Sequence, residues 1–171
     1  VREEGKAKAL PEEQAVQFHH TVAQLLFLSG RARRDIQTAV AFLTTRVKKP
    51  DQDDWGKLKR VLKYLNGTKH MKLKLTVENL SIIKWWIDAL YNVHWDARGH
   101  NGAMMTMGKG AIISNSNKQK LNVGSSTESE LVATHDQMPD VMHTVPCISL
   151  KLRAMQLTRM SSIKTTSPPS D

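Results

Sequence analysis

At 171 residues the chain has room for one ordinary domain or two small ones, and a hydrophobic content of 40% is enough for a core. Twenty-five Lys and Arg against 16 Asp and Glu give a formal charge of +9 and a pI near 9.8, which points to a polyanionic partner but also fits a basic protein that binds none. No apolar run approaches the roughly 20 residues needed to cross a bilayer, no signal peptide is evident, and the single cysteine, Cys147, excludes an internal disulfide. No membrane partner and an intracellular location are therefore expected. The opening residue is Val1 rather than Met, which fits a fragment or an incomplete gene model.

Residues 1–14 are charged and aperiodic and read as a loose lead-in. Ala15 to Ser29 is predicted as a helix with Val16, Val22, Leu25, Leu26 and Leu28 as apolar contacts and Gly30 as its end. His19 and His20 are adjacent and point apart on that helix, which argues against a metal pair. A second helix is predicted from Asp35 towards Val47, with Asp35 as its cap and Ile36, Val40 and Leu43 at helical spacing. Pro50 to Asp54 opens a third, acids at its positive end. Its apolar face is Trp55, Leu58, Leu62 and Leu65, and Asn66-Gly67 stops it.

Met71 to Val77 alternates apolar and basic residues and predicts a half-buried strand with Lys72 and Lys74 towards solvent. Together with Lys57, Arg60, Lys63 and Lys69, these lysines make a candidate phosphate-tracking surface; an ordinary solvated face is the alternative. Further strands are predicted over Ile82 to Asp88, Gly102 to Met107 and Ala111 to Asn115, the last two joined by a turn at Gly108-Lys109. The run Ser125-Ser126-Thr127-Glu128 then marks the start of a helix from Ser126.

If that helix packs on the sheet, Glu130 can face the end of the first strand and share a site with Asp88. Paired carboxylates bind hard divalent cations, and two such ions can drive phosphodiester cleavage. On this loose spacing alone, a strand-end Asp88 and a solvated helix Glu130 are the favoured reading. The run His94-Trp-Asp-Ala-Arg-Gly-His100 has ligand types suited to zinc, yet its glycine-containing setting reads better as a loop over the sheet edge that contacts substrate. Ser125 and Ser126 fit helix capping rather than a nucleophile.

Several motifs in order carry a resemblance. Ile87-Asp-Ala-Leu-Tyr-Asn-Val-His94, Gly99-His-Asn-Gly102, Lys118-Gln-Lys-Leu-Asn122 and Ser125-Ser-Thr-Glu-Ser-Glu-Leu131 resemble the ribonuclease H region of Ty1/copia-type retrotransposon Pol polyproteins. Upstream, Arg33-Arg-Asp-Ile36 and Leu58-Lys-Arg-Val-Leu-Lys-Tyr-Leu65 are similar to the end of that family's reverse transcriptase part. The match runs from about Gln17 to Thr144. It implies that Asp88 and Glu130 are the first two metal-binding acids, that the cofactor is Mg2+ or Mn2+, and that the activity is cleavage of RNA in RNA–DNA hybrids during retrotransposition. Leu90, Asn92, Ala103 and Arg34 depart from the family pattern without removing a ligand.

The resemblance stops near residue 145. Residues 145–171 carry Pro146, Pro168 and Pro169 and read as an aberrant, disordered tail; synonymous codons permit a shifted frame there that encodes the family's third acid. Asp136 and Asp140 lie beyond the matched Glu130 on the same helix and do not replace that acid. The expected fold is α+β, with a helical segment over 15–68 and a partial ribonuclease H-like mixed sheet with one packed helix over 69–144, truncated before its later strands. The polymerase acids and the later nuclease acids are missing, so the expected product is a decayed, inactive one, or else a non-catalytic basic nucleic-acid-binding remnant. Its expected partner is an RNA–DNA hybrid or other nucleic acid, with self-association through an exposed sheet edge.

Overall fold

The computed structural model describes residues 8–79 and 82–164. Helix α1 spans Glu12–Arg31, with two glutamates in its first turn and Arg31 in its last, both favourable to the helix dipole. Phe18, Val22, Leu25 and Ser29 recur every three or four residues and form its buried stripe. The helix runs one residue past Gly30, beyond the predicted stop.

A 3-10 turn at Arg34–Ile36 leads into α2, Gln37–Thr44. Asp35 does not cap that helix. Its carboxylate instead accepts from Arg33 at 2.7 and 3.0 Å and from the Tyr64 hydroxyl at 2.9 Å. The hydrogen bonds from Arg33 hold the Asp35 carboxyl below the usual carboxylate range. Buried Arg33 also donates to the carbonyl and hydroxyl oxygens of Thr68, tying the end of the next helix to this turn.

Helix α3, Gln52–Gly67, begins and ends where the sequence predicts. Asp51 accepts from the Asp53 and Asp54 amides, and Asp54 accepts from the Asp51 amide, so a reciprocal capping box closes the first turn. Residues 8–10 lie against this start, the Leu10 amide donating to the Pro50 carbonyl. Phe18, Val22 and Leu25 of α1 pack with Ile36, Val40, Leu43 and Leu58 into one core.

The sheet has the order β1 (Lys84–Leu90), β2 (His100–Thr106), β3 (Ile113–Lys118), antiparallel at both pairings. The α+β class and a helical segment ahead of a partial sheet with one packed helix are as predicted. The Met71–Val77 strand is not formed: residues 71–77 are irregular, and only their end reaches the hairpin, through the Thr76 amide to Lys109 and the Glu78 amide to Met107. A strand needs a continuous ladder, and two bonds at one end do not supply one. The approach is close enough that a Cβ on Gly110, whose φ is 81°, would collide with the Lys74 carbonyl oxygen.

Because side chains alternate along a strand, register assigns each residue to a face. Trp85, Ile87 and Ala89 lie opposite Met105, Ala103 and Asn101 and share one face. Helix α4, Ser126–Lys164, covers it with buried Ser129, Ala133 and Gln137. Ser125 accepts from the Glu128 amide, and Glu128 in turn accepts from the Gly124 amide. The helix continues through 145–164, where the sequence predicts disorder, carrying Pro139 and Pro146 within it. The final residues, 165–171, and most of the lead-in, 1–7, lie outside the described residues. No described helix is long and apolar enough to cross a membrane.

On the other face, α2 meets β3. Arg34 donates to Ser114 Oγ at 2.8 Å and to the Ile112 carbonyl at 3.0 Å, and Gln37 donates to the Ser114 carbonyl at 2.9 Å. Arg34→Ala removes two charge-assisted bonds and leaves their acceptors facing a gap, so the urea midpoint should fall by an amount equivalent to about 2 kcal/mol.

Candidate nucleic-acid interface

Asp88 pairs in register with Gly102, and Gly102 with Ser116. All three belong to the face turned towards α2, since Ser116 Oγ lies 3.5 Å from Thr38 Oγ1. Asp88 is exposed there and accepts from the Ala89 amide at 2.8 Å. Glu130 is an exposed residue of α4, on the far side of the sheet. The pleat therefore turns Asp88 away from the helix that carries Glu130, and the expected shared site does not assemble. A divalent ion held jointly by these two carboxylates does not fit this arrangement.

The acids of α4 that do meet the sheet are Asp136 and Asp140, which sequence reasoning set aside. Asn101 donates to Asp136 at 3.0 Å, and Asn115 and Gln137 donate to Asp140 at 2.8 and 2.6 Å. They border a polar cleft of about 410 Å³ that also reaches Asn117 and Lys120. The spacing of four places both on one helix face, but nothing in the sequence shows that this face points to asparagines. Among the described residues, the one group of three acids close enough to surround an ion is Asp51, Asp53 and Asp54, which is the capping box of α3.

The candidate phosphate-binding residues Lys57, Arg60, Lys63, Lys69, Lys72 and Lys74 are all exposed. Lys57 and Arg60 stand one turn apart on α3 and border a second cleft of about 470 Å³, with Lys57 also paired to Asp53 at 3.0 Å. Lys63 lies about 120° further round the helix from Lys57. Lys69, Lys72 and Lys74 follow in the irregular segment, so the six do not form a single stripe.

The two histidines of the 94–100 run are not substrate-contacting loop residues. His94 and His100 are 5% and 3% exposed, and their Nε2 and Nδ1 atoms lie 3.1 Å apart. His100 Nε2 meets Ser116 Oγ at 2.8 Å, and the Phe42 ring of α2 stacks on both imidazoles with centroids 4.6 and 4.7 Å away. Burial pushes His94 below its ordinary value, reinforced by the Lys118 ammonium and opposed by Asp96. Burial, with the neighbouring His94, pushes His100 down to about 4. Both rings are neutral near pH 7 and act as flat, hydrogen-bonded packing groups between α2 and the sheet.

Comparison with known proteins places this geometry in context. The chain is 34% identical over 115 residues to the retrovirus-related Pol polyprotein from transposon RE2 of Arabidopsis thaliana, a match covering 67% of this chain and 8% of that polyprotein. The chain is similar to transposon Pol polyproteins. A putative transposon Ty5-1 protein of Saccharomyces cerevisiae is 27% identical over 126 residues, 72% of this chain and 41% of that protein. A secreted RxLR effector protein of Plasmopara viticola is 29% identical over 119 residues, 69% of this chain and 84% of the effector. No family model and no solved structure matches the chain. The two transposon relatives support origin in a retrotransposon polyprotein, of which the chain spans a minor part.

Two departures from the Pol pattern now have a structural account. Arg34 supplies the guanidinium that reaches β3. Asn92 adopts a φ of 52°, a left-handed conformation that asparagine tolerates better than most residues. Ala103 is buried on the sheet face beneath α4, and nothing in the structure explains Leu90 at its position.

The histidine pair sets a pH dependence. An imidazole whose folded pKa is depressed binds fewer protons folded than unfolded, so its stabilisation is complete above the unfolded value near 6.5 and is lost as pH falls towards the folded value. Thermal or urea unfolding should therefore show stability declining between about pH 6.5 and 4, by at most about 1.4 kcal/mol per pH unit for His100. The lowered carboxyls of Asp35 and Asp96 act in the same direction but at lower pH. His100→Asn should flatten the upper window while leaving the lower one.

Proposed function

We propose that this chain comes from the end of the reverse transcriptase part and the ribonuclease H region of a Ty1/copia-type Pol polyprotein, and that it binds nucleic acid without cleaving it. The observation that carries the loss of cleavage is the placement of Asp88 on the sheet face opposite α4, away from Glu130. Metal-dependent cleavage through this pair would require both carboxylates at one metal site, and displacements of about 1 Å already cost on the order of 10²-fold in rate. Binding is supported by the charge of +9 and by the exposed lysines and arginine of α3 and residues 69–74.

Backbone contacts of this kind carry no base readout, so binding should be indifferent to sequence and steeply dependent on salt. A labelled RNA–DNA hybrid incubated with the protein and Mg2+ or Mn2+ should remain intact while its anisotropy rises. For a B-form DNA duplex the log–log salt slope should be about −0.9 per phosphate contact, and Lys72→Glu with Lys74→Glu should weaken binding several-fold on every sequence. Metal-dependent cleavage that disappears in Asp88→Asn would overturn the silent-site reading. Absence of binding at low salt would leave a decayed product with neither activity.

A further inference from the structure

The cleft beside Lys57 and Arg60 has chemistry that a phosphate-tracking surface does not need. Its walls are apolar: Phe42 and Leu43 from α2, Val61 from α3, and Val93 and Trp95 from the loop after β1. Its floor is electrically balanced, because the Arg46 guanidinium pairs with Asp54 at 3.2 Å. The positive charge sits at the mouth, on exposed Lys57 and Arg60. A ligand that matches both parts has a flat apolar body and an anionic edge.

Trp95 supplies the platform. It is 54% exposed although it lines the cleft. The Lys118 ammonium lies over the ring, 5.5 Å from its centre, and is itself anchored to Asp96 at 2.6 Å, so a fixed cation helps to hold the indole in place. The surface pair between Lys57 and Asp53 is of a kind worth little in water, and an incoming phosphate can displace it.

We propose that this cleft binds an unpaired nucleotide of a single-stranded nucleic acid, its base against Trp95 and its phosphates on Lys57 and Arg60. The proposal deepens the nucleic-acid reading above and rests on it. Bases inside a duplex have both faces stacked and offer only their edges, whereas an unpaired base offers the face that an indole requires. A cavity of about 470 Å³ is in the ordinary size range for a small-ligand site, and suits one nucleotide rather than a base pair.

The test uses 5′-fluorescein-labelled dT12 and rU12 with the whole chain, read by anisotropy and by tryptophan quenching, with blunt duplex of equal length as competitor. Single strand should bind in preference to duplex. Trp95→Ala should weaken it about tenfold, as loss of one stacked base does, while Trp95→Phe retains most of the affinity. Arg60→Glu should weaken it comparably and lower the salt slope by about one. Trp86→Ala, at an exposed sheet position outside the cleft lining, should change nothing. Unchanged single-strand affinity in Trp95→Ala with an unaltered melting curve, or duplex competing as well as single strand, would overturn the proposal. If hybrid binding and its sensitivity to Lys72 and Lys74 persist in that case, the general nucleic-acid reading stands without it; absence of any binding removes both.

Discussion

The fold depends on one contact, the stack of Phe42 on the neutral imidazoles of His94 and His100. The three helices have their own core, from Phe18 through Leu58. The sheet has its own cover in α4. What joins them is this aromatic layer, flanked by the polar links from Arg34 and Gln37 to β3. Histidine is unusual in such a place because it loses favourable hydration. The mutual hydrogen bond and the Ser116 hydroxyl offset that cost, but only while the rings carry no charge.

The same layer fixes which face of the sheet is which. His100 points to α2, so Gly102, and across from it Asp88, must do so too, since the side-chain period of a strand is two residues. The opposite face then belongs to α4, with its buried Ser129, Ala133 and Gln137. One consequence is that Trp86, Leu90 and Met104, near Asp88 on the α2 face, remain exposed, because α2 covers the β3 side and does not extend over β1. The acid that a metal site would need sits within this apolar surface rather than in a closed polar cleft.

Much of the architecture was legible. Helical spacing found α1, α2 and α3, and the acids at 51–54 announced the capping box. The serine–glutamate spacing fixed the start of α4, and apolar strings located the three strands to within a few residues. Alternation misled at Met71–Val77 because it reports which side chains could face a core, not whether a neighbouring strand exists to complete the ladder. The joint site of Asp88 and Glu130 failed for a related reason: a motif gives the order of residues, while the facing of a strand depends on what packs on each side. His94 and His100 were visible as a pair, but Phe42, fifty residues upstream, decides that they pack rather than ligate. The resemblance stops near residue 145, where Pro146 also falls, yet the helix runs on through it to Lys164.

Those two prolines leave a mark even so. Each removes one amide from the i to i−4 ladder, so the carbonyls of His135 and Met142 lack their usual intrahelical donors. The 39-residue helix is thereby weakened at two points, and its first part is clasped to the sheet. Opening that begins at the far end meets Pro146 first and then Pro139, and at each the ladder is one bond weaker and fraying costs less. Amide exchange along α4 should accordingly rise in steps rather than as a smooth gradient, with the slowest protons between Ser129 and Gln137.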